Sequence, residues 1–320
     1  MLPDAASEEP GWPRAAWRYV LAMRPRFLTA AVWSLALGQT WGGVQAGRID
    51  WPVFWGAVFG VVAAQAAANV LNDVYDDITG ADKANADYIF PYTGGSRLIQ
   101  NGLLSRRQMW RWGLWLIALA ELAAGGLAAV RGLWVLALAG IGGLVGLFYS
   151  MVPVRLSARG LGEAAVGLGF GVLPVVGGAG LQAGGAALAG GAAQVACLGL
   201  ASAAWVSAIL LINEVPDAPA DAATGKRTLV VRWSAGTTLW VLRALHITAV
   251  GGGLAYLALA HGAPWLAAPG AVLLVLGLWS AAAIKPGASC RSVTLKRAIE
   301  QTITCHAGGH LWLLGVVLIA

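Results

Sequence analysis

Five of the fifteen acidic residues in this 320-residue chain lie between Asp73 and Asp87, and three more between Glu214 and Asp221. Each cluster sets an asparagine four residues before an aspartate, Asn72 before Asp76 and Asn213 before Asp217. Each adds a carboxylate one helical turn away, Asp73 in the first and Asp221 in the second. On a helix, positions three and four apart share a face, so each cluster aims several oxygens in one direction. Stacked like charges repel and are expensive to desolvate at a membrane boundary. Hard divalent cations are a physical reason to stack them, since Mg²⁺ takes oxygen ligands and shares them with substrate phosphates. The pattern predicts that Asp73, Asp76, Asp217 and Asp221 hold two or more Mg²⁺ ions with a diphosphate between the clusters. The bland alternative is two polar helix ends.

Basic residues follow each cluster: Lys83 and Arg97 the first, Lys226 and Arg227 the second. They could grip diphosphate oxygens and stabilise the charge of a leaving group, although membrane topology alone also explains them. The glycine-bearing turn from Pro91 to Arg97 could present backbone N–H groups to an anion.

The elements that must carry these residues are membrane helices. Hydrophobic residues make up 58% of the chain and charged residues 11%, less than half of the roughly 25% typical of soluble domains. That excludes a soluble enzyme, a disordered tail and a nucleic-acid binder, despite a net charge of +6. A span needs about 20 apolar residues. Charge-poor runs supply nine: 27–47, 51–72, 112–130, 132–154, two within 164–213, two within 244–285, and 301–320. The expected fold is all-α and polytopic, nine transmembrane helices around a central apolar chamber (27–320) after an N-terminal segment (1–26).

With nine spans, 19 of the 21 basic residues fall on one side, leaving only Arg48 and Arg131 on the other. The crowded side is cytoplasmic by the positive-inside rule. The N-terminus and both acidic clusters then lie inside and the C-terminus outside. Residues 11–26, where Trp12, Trp17, Tyr19 and Leu21 alternate with arginines, read either as an interfacial amphipathic helix or as a lead-in to the first span. No cleavable apolar core follows the acidic start, so a secretory signal is not expected.

A diphosphate at a membrane surface, attached to something that prefers lipid, is most simply a polyprenyl diphosphate. Metal-assisted loss of diphosphate leaves an allylic carbocation that must be shielded from water until a nucleophile captures it. A helical bundle with an apolar interior meets that need.

At Asn72-Asp-x-x-Asp76 and Asp217-x-x-x-Asp221 the chain resembles the UbiA superfamily of intramembrane prenyltransferases, over most of residues 20–320. Within it, the stretches Asn72 to Asp82, Tyr149 to Glu163 and Gly225 to Arg232 look most like the 1,4-dihydroxy-2-naphthoate polyprenyltransferases of menaquinone synthesis. The resemblance implies an inner-membrane enzyme with its site at the cytoplasmic face, transferring a polyprenyl group to an aromatic acceptor whose ring carboxylate leaves as CO₂. It implies that Asn72, Asp73, Asp76, Asp217 and Asp221 position Mg²⁺ and diphosphate, with Asn213 beside them. Arg97, Lys226 and Arg227 become candidates for the diphosphate oxygens. Tyr149 either lines the chamber near the reacting carbon or is an ordinary interfacial tyrosine. The second motif departs from the family's Asn-rich, Arg-Asp form, which leaves 4-hydroxybenzoate, homogentisate or a lipid alcohol open as acceptors. Pro219 lacks a backbone donor, so Asp217 and Asp221 are expected to converge from a turn as readily as from a helix, with Pro216 able to open a new segment.

Glu121, inside a span, reads as a functional carboxylate or a hydrogen-bonded bundle residue. Glu163 reads as a helix-start charge ahead of a pocket residue. His306 and His310 lie four apart but without a carboxylate, so no metal site is expected there, and three scattered cysteines imply neither disulfides nor zinc. A different class, a cation-coupled transporter, would place its acidic residues near the bilayer midplane on broken helices rather than at helix ends.

Overall fold

The computed structural model describes residues 12–284 and 293–320. Its main elements are α1 (Trp12–Ala22), α2 (Pro25–Ala46), α3 (Trp51–Thr79), α4 (Arg106–Arg131), α5 (Trp134–Ser150), α6 (Gly162–Gly190), α7 (Ala192–Ala223), α8 (Ala235–Leu259), α9 (Pro264–Ala281) and α10 (Val293–Ile319). No strand occurs among the described residues. Acidic positions 4, 8 and 9 and basic positions 285 and 291 lie outside them.

Seven helices, α3, α4 and α6 to α10, are long and apolar enough to cross a membrane, and the pair α1–α2, bent by 50°, makes eight. The remaining apolar helix, α5, has 17 residues. At 1.5 Å per residue it covers about 26 Å, slightly short of a core of roughly 30 Å. Length and composition therefore support seven crossings, or eight with the bent pair counted as one span, and the expected ninth rests on α5. The fold class is as expected: a multi-pass helical membrane protein.

Local chemistry sets the helix ends. The Asp50 side chain accepts the Val53 N–H at 3.3 Å and starts α3, and Gly80 ends it in the left-handed region at φ +80°. Ser105 and Gln108 form a capping box at the start of α4, satisfying N–H groups that would otherwise lack partners. Helix α1 does not float as an isolated amphipathic element. The Trp112 indole donates to the Tyr19 carbonyl at 3.1 Å, and the two rings meet edge to face at 5.6 Å.

The second acidic motif lies on continuous helix. Helix α7 runs to Ala223 with Pro216 and Pro219 inside it, so of the two alternatives the helix is formed and the turn is not. Each proline deprives the carbonyl four residues earlier, Ile212 and Val215, of its helical donor. Burial of Ile212, Pro216, Ala220 and Asp221 along the same stretch holds the helix, a case of packing overriding local preference.

Small residues let the helices approach closely. A Cβ on Gly38 of α2 would collide with the Val175 carbonyl of α6, and one on Gly171 would strike the Ala203 backbone of α7. Gly171 lies in a π-helical stretch, Gly167–Val172, within α6.

Candidate active site

The two carboxylate motifs meet. Helix α3 delivers Asn72, Asp73 and Asp76 at its C-terminal end, α7 delivers Asn213, Glu214, Asp217 and Asp221 at its own, and the segment 81–97 folds over both. Asn72, Asp76, Asp82, Asp217, Asp221 and Lys226 line one cavity of about 190 Å³. Tyr149 and Asn213 also line it.

The Lys226 ammonium lies 3.5 Å from Asp76 of the first motif and 3.5 Å from Asp221 of the second. Burial works against its charge, but the Asp76 and Asp221 carboxylates more than offset that and hold its pKa well above the usual lysine value. Asp73 pairs with Arg24 and accepts the Ser96 N–H at 3.1 Å. Asp217 accepts from the Asn85 amide at 2.6 Å and from the Gly94 N–H at 3.2 Å. The turn expected to present N–H groups to an anion thus presents two of them to the protein's own carboxylates, one on each motif. Gly95 fits between Asp73 and Asp82, where a Cβ would lie 2.8 Å from an Asp82 oxygen, at φ +76°. Asp82 is driven up to about 7, first by burial and then by the charge on Asp76.

Not every expected residue reaches the cavity. Arg97 is buried and donates to the carbonyls of Asp82 and Asn85, with its guanidinium 4.0 Å over the Tyr88 ring. It clamps the covering segment and does not line the cavity. Arg227 is exposed, its N–H bonded to the Ala158 carbonyl at 3.1 Å and its own carbonyl to Arg232 at 2.9 Å. Asn72 donates to the Ser150 hydroxyl at 2.9 Å. Glu163 does more than start α6: it is buried, and its carboxyl faces that of Glu214.

Three lining residues escaped sequence reasoning as site residues: Arg24, Asn85 and Glu214. Arg24 sits 49 positions before Asp73, and its one local signal was a basic residue between two helices. Asp82 was visible in the motif without an assigned role.

The donors suit a hard cation. They are oxygens only, carboxylates outnumber the cations Arg24 and Lys226, and Lys226 already sits where the field calls for positive charge. Among the described residues no three acidic, histidine or cysteine side chains converge as a ready-made metal site.

Behind the polar cavity lies an apolar one of about 210 Å³, walled by α2 to α6. Ala68, Gly142, Gly146, Gly169 and Phe170 border both, so the carboxylate-lined cavity adjoins the apolar one. Glu121 borders the apolar cavity.

A sequence profile described as the UbiA prenyltransferase family matches residues 28–292. The chain is 28% identical to the 1,4-dihydroxy-2-naphthoate octaprenyltransferase of Mycobacterium tuberculosis over 86% of this chain and 89% of that one. It is also 28% identical to the 2-carboxy-1,4-naphthoquinone phytyltransferase of Synechocystis, over 82% and 80%. A 29% match to the UbiA prenyltransferase domain-containing protein 1 of Gallus gallus covers 54% of this chain. The chain spans about half the length of that protein and of its vertebrate counterparts. In three dimensions it resembles a UbiA homolog from Archaeoglobus fulgidus, solved with DMAPP and Mg²⁺, at a TM-score of 0.64 and 18% identity over 94% of this chain and 99% of that one. A structure reported for digeranylgeranylglyceryl phosphate synthase aligns at 0.65 and 16% identity, over 95% and 99%. At such identities the likeness speaks to fold.

Proposed function

The chain belongs to the UbiA prenyltransferase family, and on that premise we propose that it moves a polyprenyl group from its diphosphate to an aromatic acceptor, 1,4-dihydroxy-2-naphthoate, in menaquinone synthesis. One observation carries the reading: two acidic motifs far apart in sequence share a cavity, bridged by Lys226, that adjoins an apolar chamber. The naphthoate relatives support the acceptor. Asp73, Asp76, Asp217 and Asp221 would hold Mg²⁺, which supplies charge neutralisation for a departing diphosphate. Lys226 and Arg24 bind its non-bridging oxygens. The apolar cavity takes the polyprenyl tail and keeps water from the allylic cation, and Tyr149, on the wall of the polar cavity, would face the reacting carbon. The basic residues at the motif end of the bundle favour a cytoplasmic site.

Membranes containing the protein, incubated with Mg²⁺, a long prenyl diphosphate and a panel of aromatic acids, test this. We expect release of diphosphate and a prenylated naphthalenediol lacking the carboxylate, identified by mass. Asp73→Asn and Asp217→Asn should each lower turnover by at least roughly 100-fold while the protein stays folded in the membrane. Full activity in either variant removes the metal assignment. Cation-driven solute uptake without diphosphate release would favour a transporter instead.

A further inference from the structure

The carboxylates in and around the polar cavity fall into two groups. Asp73, Asp76, Asp82, Asp217 and Asp221 each have a donor from the protein: Arg24 and Ser96, Lys226, Gln100, Asn85 and Gly94, and Lys226 again. Glu163 and Glu214 have only each other. They come from different helices, α6 and α7, and are only 6% and 7% exposed. Their carboxyls face each other, and both oxygens of Glu163 and Oε2 of Glu214 meet no hydrogen-bond donor. Glu214 lines the cavity and Glu163 does not. The charged or titratable groups facing the pair are Tyr149 on α5, Asp221 on α7 and Lys226 beyond it. Buried acceptors without donors are costly, and each one in a folded protein calls for an explanation such as a ligand group. An O–H in the cavity beside Glu214 would supply the pair with a donor.

We propose that Glu214, backed by Glu163, forms the hydroxyl-binding end of the acceptor subsite, taking the hydrogen bond and then the proton of a ring hydroxyl; this rests on the prenyl-transfer reading above. As the C–O bond to diphosphate breaks, its electron pair leaves with the diphosphate. The ring carbon beside the hydroxyl-bearing carbon bonds to the allylic carbon, and the O–H proton passes to the glutamate pair. The ring then holds a ketone with a carboxylate on the neighbouring carbon. Loss of CO₂ leaves an enolate oxygen that takes the proton back, so the pair ends as it began. The subsite selects hydroxylated rings and rejects those whose hydroxyl beside the attacked carbon is methylated.

Full-length Glu163→Gln and Glu214→Gln proteins in lipid nanodiscs test the assignment. Mg²⁺-dependent binding of geranylgeranyl thiodiphosphate should stay within threefold of the parent, which also reports that each variant is folded. With 1,4-dihydroxy-2-naphthoate and a prenyl diphosphate, kcat/KM for the acceptor should fall at least 30-fold near neutral pH. The deficit should shrink towards alkaline pH, where the acceptor ionises without help, which a merely structural defect would not produce. Parent-like kcat/KM in both variants, a deficit independent of pH, or loss of thiodiphosphate binding overturns the proposal. If one variant does not accumulate, the other decides. A parent protein that prenylates no hydroxylated ring defeats the prenyl-transfer reading itself, whereas an active parent with unaffected variants defeats this inference alone.

Discussion

Lys226 shows how residue chemistry and position divide the work. Its neighbour Arg227 carries the same charge one position away yet faces outwards, so adjacency in sequence says little about which cation meets the carboxylates. Asp82 gives the sharpest test at this scale. Burial, and then the Asp76 charge, raise it from the ordinary carboxylate value to about 7. The folded protein therefore holds a proton that the unfolded chain has released between about pH 4 and 7. The stability this proton contributes is full below the ordinary carboxylate range and is lost as pH rises through about 7. In metal-free, detergent-solubilised protein, Tm should fall between pH 5 and 8, and Asp82→Asn should flatten that slope. An unchanged slope in the variant would assign the titration to another group. The motif aspartates were legible because like charges at helical spacing need a reason. Arg24 and Asn85 were not, because each reaches its aspartate across a long stretch of chain.

Elements decide how the residues point. The sequence allowed a turn at Pro216 to Pro219, and the structure keeps helix there because the stretch is buried on α7. That leaves Asp217 and Asp221 four apart on a continuous helix, as the spacing argument required. Close packing of glycine faces holds α2, α6 and α7 in register beneath the site. Gly38→Ala should force α2 away from the Val175 carbonyl and destabilise the protein by about 1–3 kcal/mol, the usual cost of overpacking. A thermal shift in lipid nanodiscs measures it; Gly47→Ala is no control, because its φ of +67° adds backbone strain. Gly126→Ala, inside α4 with open space at its Cβ, should instead raise Tm slightly, since alanine is the better helix former.

For the whole molecule, the open question is the number of crossings, and α5 decides it. Large apolar side chains such as Trp115, Leu122, Val272 and Trp279 stand two-thirds exposed, as expected of a surface facing lipid rather than water. At the end of α3 opposite the motif, Asp50 pairs with Arg131, so one of the two basic residues assigned to the sparse side sits there. Nine crossings put the two termini on opposite sides and eight put them together. A reporter fused after Ala320 should therefore read as non-cytoplasmic if α5 spans, and a cytoplasmic signal would reduce the count to eight.

Composition and periodicity by themselves determined the helical membrane class, the approximate spans and the motif aspartates, because hydrophobic length and charge spacing are local properties of the chain. Which cations face those aspartates, what the covering segment does with its N–H groups, and that Glu163 meets Glu214 were decided only by tertiary structure. Each depends on contacts between helices whose relative placement comes from packing across the bundle, and no local pattern encodes that.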